Sequence, residues 1–198
     1  MKTITIKLLL MAIPVIMMAC NSSQNRNTDN KNDNSRMKND SVNKSAVLVD
    51  NNGNDTNKDQ DFIKEAATGG LMEVELGKYA QEHAMNPRVK NFGAMIVRDH
   101  SKANDELKSI ASRKNISVPA AIDDKHRQMM SDIQKKTGAD FDREYIKEMI
   151  DDHDKDVDKF KKHAENGVDP DLKAFASKTL PVLIMHQDSA KKIRDAIK

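Results

Sequence analysis

Three histidines lie within the apolar stripes of three different predicted helices. They are His100, His153 and His186, and Glu73 lies in a row of small residues on a fourth helix. An apolar stripe faces a core, so these polar side chains are predicted to point inward. Imidazole nitrogen and carboxylate oxygen suit iron, zinc, copper or manganese. The four residues are therefore candidate metal ligands, and two neighbouring acids are candidate hydrogen-bond partners of those ligands, Asp99 and Asp152.

The positions of these residues along their helices predict whether they meet. Glu73 and His100 lie on either side of a proline that starts one helix, each about four helical turns away from it. His153 and His186 lie on either side of a proline that starts another, each between four and five turns away. If the two helical turns share one end of the bundle, the pairs differ in height by about 4.5 Å at 1.5 Å per residue. We expect the four side chains to meet near the middle.

Two observations oppose a metal site. Ferritin-like di-iron proteins carry a glutamate three residues before a histidine, whereas Val97 and Leu183 precede His100 and His186 at that spacing. A lone core histidine is also often a hydrogen-bonded side chain and not a ligand. The other histidines lie at helix ends or in a connection and are predicted to be solvated, namely His83, His126 and His163.

Methionine gives a narrower indication. Thioether and imidazole together suit copper(I). Methionine is also a common core residue, and the chain has 12 of them, so chance neighbours are expected. Each candidate ligand has a methionine near it in sequence: Met72, Met95, Met149 and Met185.

The helices that hold these residues are predicted from apolar periodicity and from two prolines. Asn86-Pro87 and Asp169-Pro170 each end one helix and start the next, which makes two antiparallel hairpins. The long connection between the hairpins is typical of a ferritin-like four-helix bundle, so the predicted fold is all-α. The predicted helices span residues 59–84, 87–114, 139–165 and 170–197, with a short helix at 123–136 in the crossover.

The two hairpins are related by an internal repeat. Phe62-Ile63-Lys64-Glu65 returns in the second hairpin as Tyr145-Ile146-Lys147-Glu148. The segment Asn86-Pro87-x-x-Lys90-x-Phe92 returns as Asp169-Pro170-x-x-Lys173-x-Phe175, at the same offset that separates Phe62 from Tyr145. We call this shared spacing the repeat offset. Two independent matches at one offset indicate a duplication.

Residues 1–19 are predicted to be a lipoprotein signal peptide. After a basic start, the apolar run at 8–19 is shorter than the roughly 20 residues of a membrane span. It ends in Met17-Met18-Ala19-Cys20, which resembles the bacterial lipobox with methionine for the usual leucine, so Cys20 is the predicted lipid attachment site. The residue after the cysteine is Asn21 and not an aspartate, which resembles lipoproteins that are sent to the outer membrane. The alternative is an ordinary secretory signal with an incidental cysteine.

The chain is predicted to have a tether and one folded domain. Residues 20–58 are rich in Asn, Asp, Lys and Ser and are predicted to be a disordered, lipid-anchored tether. Helical periodicity begins at Asp59, so residues 59–198 are predicted to form the bundle, in the periplasm.

Composition excludes several classes of function. The net charge is +2 with acids and bases interspersed, and aromatics are 4%, which argues against nucleic-acid binding. One cysteine excludes an intrachain disulfide. The sequence shows no paired nucleophile and base, no phosphate-binding glycine loop and no dinucleotide fingerprint, so catalysis is disfavoured unless a redox metal is bound.

Three stretches resemble a known bacterial envelope family, domain of unknown function 4142. They are residues 62–77 (FIKEAATGGLMEVELG), 99–104 (DHSKAN) and 169–176 (DPDLKAFA). The resemblance covers about residues 59–198 and implies a ferritin-like bundle in an exported or lipid-anchored protein, with no established activity or functional residues.

Three hypotheses of function follow. The first is a lipid-anchored, non-enzymatic envelope protein with a binding or stress-associated role. The second is a redox or detoxifying bundle that uses the core histidines and Glu73 to bind a transition metal. The third is a helical module that binds an unidentified protein partner, which predicts a sizeable exposed apolar patch.

Overall fold

Five helices form the fold. The computed structural model describes residues 53–197, in which the helices are α1 (Gly53–His83), α2 (Pro87–Arg113), α3 (Asp124–Gln134), α4 (Gly138–Asn166) and α5 (Pro170–Ala196). These residues contain no strand, and the predicted all-α class is confirmed. α1 begins before its predicted start at Asp59, so residues 53–58 of the predicted tether are helical. The predicted signal peptide, Cys20 and the rest of the tether lie outside the described residues.

Each hairpin turn combines a side-chain cap with a proline. Asn86 accepts a hydrogen bond from the N–H two residues on, and Asp169 accepts from those two and three residues on. Pro87 and Pro170 follow at the first helical position, where the missing N–H of proline costs nothing. These are the turns that the sequence predicts.

Two buried aspartates fix the hairpins against each other. Asp142, near the start of α4, accepts hydrogen bonds from the N–H of Met85 at 3.0 Å and of Asn86 at 2.7 Å. Asp59 in α1 accepts from the N–H of Asp169 at 3.0 Å. The start of each hairpin therefore lies at the turn of the other, and the two turns lie at opposite ends of the bundle.

The expectation that the turns share an end is wrong, because the crossover returns the chain along the bundle before α4 begins. The candidate ligands still meet. Each lies about four to five helical turns from the proline of its hairpin. The four helices contain between 27 and 31 residues, so these positions are close to mid-helix from either end.

The internal repeat is also present in the contacts. Phe62 packs edge-on against Phe175, with ring centroids 6.4 Å apart and planes at 66°. The equivalent pair, Tyr145 and Phe92, packs at 6.2 Å and 66°. Asp59 and Asp142 are equivalent as well, and so are the turns that they bind. Each hairpin therefore supplies the same interactions to the other.

The core consists of two apolar clusters with a polar layer between them. One cluster contains Ile96, Ile150 and Ala190, and the other contains Phe160 and Leu183. The three core histidines lie between these residues along α2, α4 and α5. The layer is therefore buried with apolar packing on both sides.

α1 and α2 approach each other through glycine. A methyl group on Gly93 would lie 2.7 Å from the carbonyl oxygen of Gly77, and one on Gly70 would overlap the side chain of Asn104. The small surface predicted for the first helix therefore allows a close contact with α2.

The exposed surface has few large apolar side chains. Within residues 53–197 no helix is both long and apolar enough to cross a membrane. The most exposed apolar residues are Met85 and Val168, which lie at opposite ends of the bundle, and Ile184 and Met185 on α5. This scatter does not favour the interaction-module hypothesis for the described part of the chain.

Candidate metal centre

The structure brings the four predicted ligands together in the polar layer. Glu73, His153 and His186 are fully buried, and His100 is 6% exposed. The centroids of the three imidazole rings lie 5.3 to 5.4 Å from one another. One ring nitrogen of each histidine lies within 4.8 Å of those of the other two. Four helices of the bundle therefore contribute to one buried cluster.

His186 is oriented by Asp99. Its Nε2 lies 3.0 Å from Oδ2 of Asp99, whose carboxylate also accepts two hydrogen bonds from Arg98, at 2.7 and 2.8 Å. The Arg98 hydrogen bond lowers the pKa of Asp99 to about 2, so the carboxylate is ionised and can only accept. We assign the proton of His186 to Nε2, which leaves a lone pair on Nδ1.

His153 is oriented by the backbone. Its Nδ1 donates to the carbonyl oxygen of Met149 at 2.9 Å, which places the proton on Nδ1 and a lone pair on Nε2. That Nε2 lies 3.3 Å from Nδ1 of His186. Two lone pairs therefore face each other in a buried site. The separation matches the about 3.3 Å between two nitrogens bound at 2.0–2.1 Å to one tetrahedral ion.

His100 contacts Glu73. Its Nδ1 lies 2.7 Å from Oε2 of Glu73, and its Nε2 is buried with no hydrogen-bond partner among the described residues. Oε1 of Glu73 lies 3.2 Å from Nδ1 of His153. Neither approach has the angular geometry of a hydrogen bond, so both oxygens of Glu73 lack one within residues 53–197. Glu73 thus contacts Nδ1 of two imidazoles, and on His153 this is the nitrogen that does not face His186.

Burial keeps the layer uncharged at neutral pH. Loss of solvation lowers the pKa of His100 and of His186 to about 4, and it lowers the pKa of His153. The same loss raises the pKa of Glu73 to about 8. Neutral imidazole is the form that binds a metal, so the histidines need not lose a proton first.

Glu73 also belongs to a second cluster, of acids. One carboxylate oxygen of Glu73, of Asp152 and of Asp156 lies within 4.8 Å of the other two. Burial, and then the charges of Glu73 and Asp156, raise the pKa of Asp152 to about 8. Sequence analysis placed Asp152 beside the histidines and missed Asp156, although Asp156 lies at the repeat offset from Glu73 and one helical turn after Asp152.

Two other expectations about side chains need correction. His163, predicted to be solvated, is buried and stacks on Phe62 with ring centroids 3.8 Å apart. Its helix-end position in the sequence hid this contact. Met185 is 41% exposed although it adjoins His186, so it does not support a thioether site. Met72 and Met149 are fully buried in the apolar cluster.

Comparison with known proteins bears on the fold. A family model described as Domain of unknown function (DUF4142) matches residues 46–193. A solved structure of CopM in the Cu(II)-bound form is similar with a TM-score of 0.61 and 20% sequence identity, over 71% of this chain and 97% of CopM. This likeness shows a shared fold. No curated protein matches the sequence.

Proposed function

The chain belongs to the DUF4142 family, and we propose that it binds one transition-metal ion through His100, His153 and His186. The observation that carries this proposal is the 3.3 Å approach of His153 Nε2 to His186 Nδ1 in a fully buried site, where the assigned tautomers leave a lone pair on each nitrogen. A bound cation turns this repulsive contact into two coordinate bonds.

The groups behind the histidines support the same reading. Metal-binding histidines commonly donate their second N–H to a carboxylate or a backbone carbonyl, which fixes the tautomer. Here Asp99 has that place for His186 and the Met149 carbonyl has it for His153, whereas Glu73 lies 2.7 Å from Nδ1 of His100 without hydrogen-bond geometry. In this proposal Glu73 is a neighbour of the three ligands and not the fourth ligand that sequence analysis suggested.

The ligand set restricts the metal. Three neutral imidazoles suit Cu(II) and Zn(II) better than Mg²⁺ or Ca²⁺. The Cu(II)-bound state of CopM supports copper as the first ion to test. Binding is the proposed activity, since the residues described supply no paired nucleophile and base at the site.

Metal analysis tests the proposal. The protein is purified without tag or chelator and is then supplied with Cu(II) or Zn(II). We expect about one ion per chain. The matched variant is His100→Leu/His186→Ala, which introduces the residue types that the other hairpin has at the equivalent positions, Leu183 and Ala103. It should weaken binding by more than about 100-fold while the helical circular dichroism is retained.

His83→Ala is the control, because His83 is exposed and lies outside the layer. It should bind metal as the wild type does. A wild-type protein that takes up no Cu(II) or Zn(II), or a layer variant that still binds as tightly, would show that the histidines are core polar groups only.

We also propose that the protein is lipid-anchored at Cys20 in the outer membrane, with the bundle in the periplasm. The lipobox resemblance at Met17 to Cys20 and the asparagine at position 21 support this location. Labelling of cells with a tagged fatty acid should mark the wild type and not Cys20→Ala. Equal labelling of both proteins contradicts the anchor.

A further inference from the structure

The acid cluster beside the histidines has its own unsatisfied atoms. Glu73 is fully buried, and both of its carboxylate oxygens lack a hydrogen bond within the described chain. Oδ2 of Asp152 is likewise buried without a hydrogen-bond partner in residues 53–197. A buried carboxylate oxygen without a partner is costly, so three acids within 4.8 Å of one another need a positive charge or protons.

One ammonium group supplies part of that charge. Nζ of Lys159 lies 3.3 Å from Oδ1 of Asp156, but it also lies 3.1 Å from Oε2 of Glu65. Lys159 is therefore shared between two acids. Among the described residues it forms no ion pair with Asp152 or Glu73, so protons or a bound cation must neutralise those two acids.

A cleft gives solvent access to the acids. Asp152 and Asp156 line a cavity of about 330 Å³, whose lining also includes Met129 of the crossover and lysines such as Lys64 and Lys155. Gly69, on the α1 side, has no atom within 4 Å of where a Cβ would stand, so the cleft is open beside it. A second cavity, of about 20 Å³, touches Glu73, Asp156 and His100 and is large enough for one water molecule or ion.

We propose that Glu73, Asp152 and Asp156 form a second metal site, which takes a hard divalent cation such as Mn²⁺. All of its protein donors are carboxylate oxygens, the ligands that such ions prefer, whereas the neighbouring histidines offer only nitrogen. Asp152 and Asp156 lie one helical turn apart on α4 and so present their carboxylates on one face. Water from the cleft completes the coordination.

The two sites have no ligand in common, although Glu73 of the second site contacts His100 and His153. The second site binds a different class of ion from solvent and lies between the cleft and the histidine layer. Each site is therefore testable with its own metal.

A titration of the purified full chain with Mn²⁺ tests the second site. Binding is measured as the loss of the electron paramagnetic resonance signal of the free ion. We expect about one Mn²⁺ per chain in the wild type and in His100→Leu/His186→Ala. Asp152→Asn/Asp156→Asn keeps the side-chain shapes and should weaken Mn²⁺ binding by at least about 100-fold, while Cu(II) uptake by the histidines persists.

The control is Asp154→Asn/Asp158→Asn, which changes two exposed aspartates of α4 that are also one helical turn apart. It should bind Mn²⁺ as the wild type does. Absence of Mn²⁺ binding to the wild type, equal loss in the two asparagine variants, or loss of Mn²⁺ in the histidine variant would overturn the second site. A wild-type protein that binds Mn²⁺ but takes up no Cu(II) would instead count against the histidine site alone.

Discussion

At the ends of the bundle the two hairpins use equivalent residues. Asp59 and Asp142 each bind the turn of the other hairpin, and Phe62–Phe175 repeats as Tyr145–Phe92 with the same 66° between planes. Even a lysine contact recurs, since Lys90 and Lys173 each donate to a carbonyl oxygen in the last turn of the preceding helix. These repeated contacts hold the bundle together, and both copies retain them.

In the middle of the bundle the equivalence is lost. Among the histidines and the acids of the buried cluster, only Glu73 and Asp156 keep their charge type across the repeat offset. Each histidine of one hairpin has a small or apolar counterpart in the other: His153 with Gly70, His100 with Leu183, and His186 with Ala103.

The difference between the ends and the middle of the bundle shows which residues the fold requires. Leu183 is 2% exposed in the core, and Gly70 packs against Asn104, so the fold accepts apolar or small residues at these positions. The histidines bring a loss of solvation that packing alone does not require. We infer that the layer was specialised for a ligand after duplication, while the ends were kept for stability.

The largest predicted effect concerns the middle of the bundle, whose buried acids should make the stability of the protein depend on pH. In the metal-free fold Glu73 and Asp152 have pKa values of about 8, against ordinary values of 4.5 and 3.8. Between pH 6.5 and 8 the folded protein therefore holds protons that the unfolded chain releases, and the free energy of unfolding falls as pH rises. The three histidines act weakly and in the opposite sense, by less than about 0.5 kcal/mol each, because at pH 6.5 they are half protonated in the unfolded chain and, with lowered pKa values, less so in the fold.

Each acid contributes up to about 2 kcal/mol over that interval, at about 1.36 kcal/mol per pH unit. Urea unfolding in chelator at pH 6.5 and 8 measures the sum. Glu73→Gln and Asp152→Asn should each remove the contribution of one acid, up to about 2 kcal/mol, from this change. A slope that is the same in both variants as in the wild type would show that these acids are ionised in the fold.

Breaking the equivalent ends gives the next largest effect. Asp142→Ala leaves the N–H groups of Met85 and Asn86 without their acceptor and should lower the free energy of unfolding by about 3 kcal/mol. Asp59→Ala removes one such bond, to Asp169, and should cost about 1.5 kcal/mol.

Thermal or urea unfolding measures both losses, and Asp140→Ala is the control. Asp140 is exposed on the same helix and pairs with Arg143 on the surface, so its loss should change stability by less than about 0.5 kcal/mol. If Asp142→Ala is as mild as that control, the turns are not held by the buried aspartates.

The sequence predicts the elements well because its strongest signals are local. Asn86-Pro87 and Asp169-Pro170 carry cap and stop signals within a few residues, and the observed helices start at those prolines. The histidines were found because each interrupts an apolar stripe, which is also a local pattern.

What the sequence missed depends on contacts between distant segments. The hydrogen bond from Asp169 to Asp59 joins residues 110 positions apart, and it sets the turns at opposite ends. Which nitrogens of His100 and His153 Glu73 contacts depends on ring orientation, which periodicity does not give. Asp156 could have been predicted from the sequence, because the internal repeat pairs it with Glu73.

The smallest predicted effect concerns a position where the hairpins differ by one hydroxyl group. Tyr145 is fully buried, and its OH has no hydrogen-bond partner in the described chain, whereas the equivalent residue is Phe62. Tyr145→Phe should therefore raise the free energy of unfolding by about 1 kcal/mol, because it removes an unpaired buried donor. Urea unfolding of the metal-free protein at pH 6.5 measures the gain.

The other tyrosine of the chain is a matched control of opposite sign. The OH of Tyr79 donates to the carbonyl oxygen of Gln134 at 3.2 Å, so Tyr79→Phe should lower stability by about 1 kcal/mol. If Tyr145→Phe is destabilising as well, its hydroxyl has a partner in solution. Burial, and then the charge of Glu73, raise the pKa of Tyr145. If Tyr145→Phe also loses metal binding, Tyr145 belongs to the specialised layer as well.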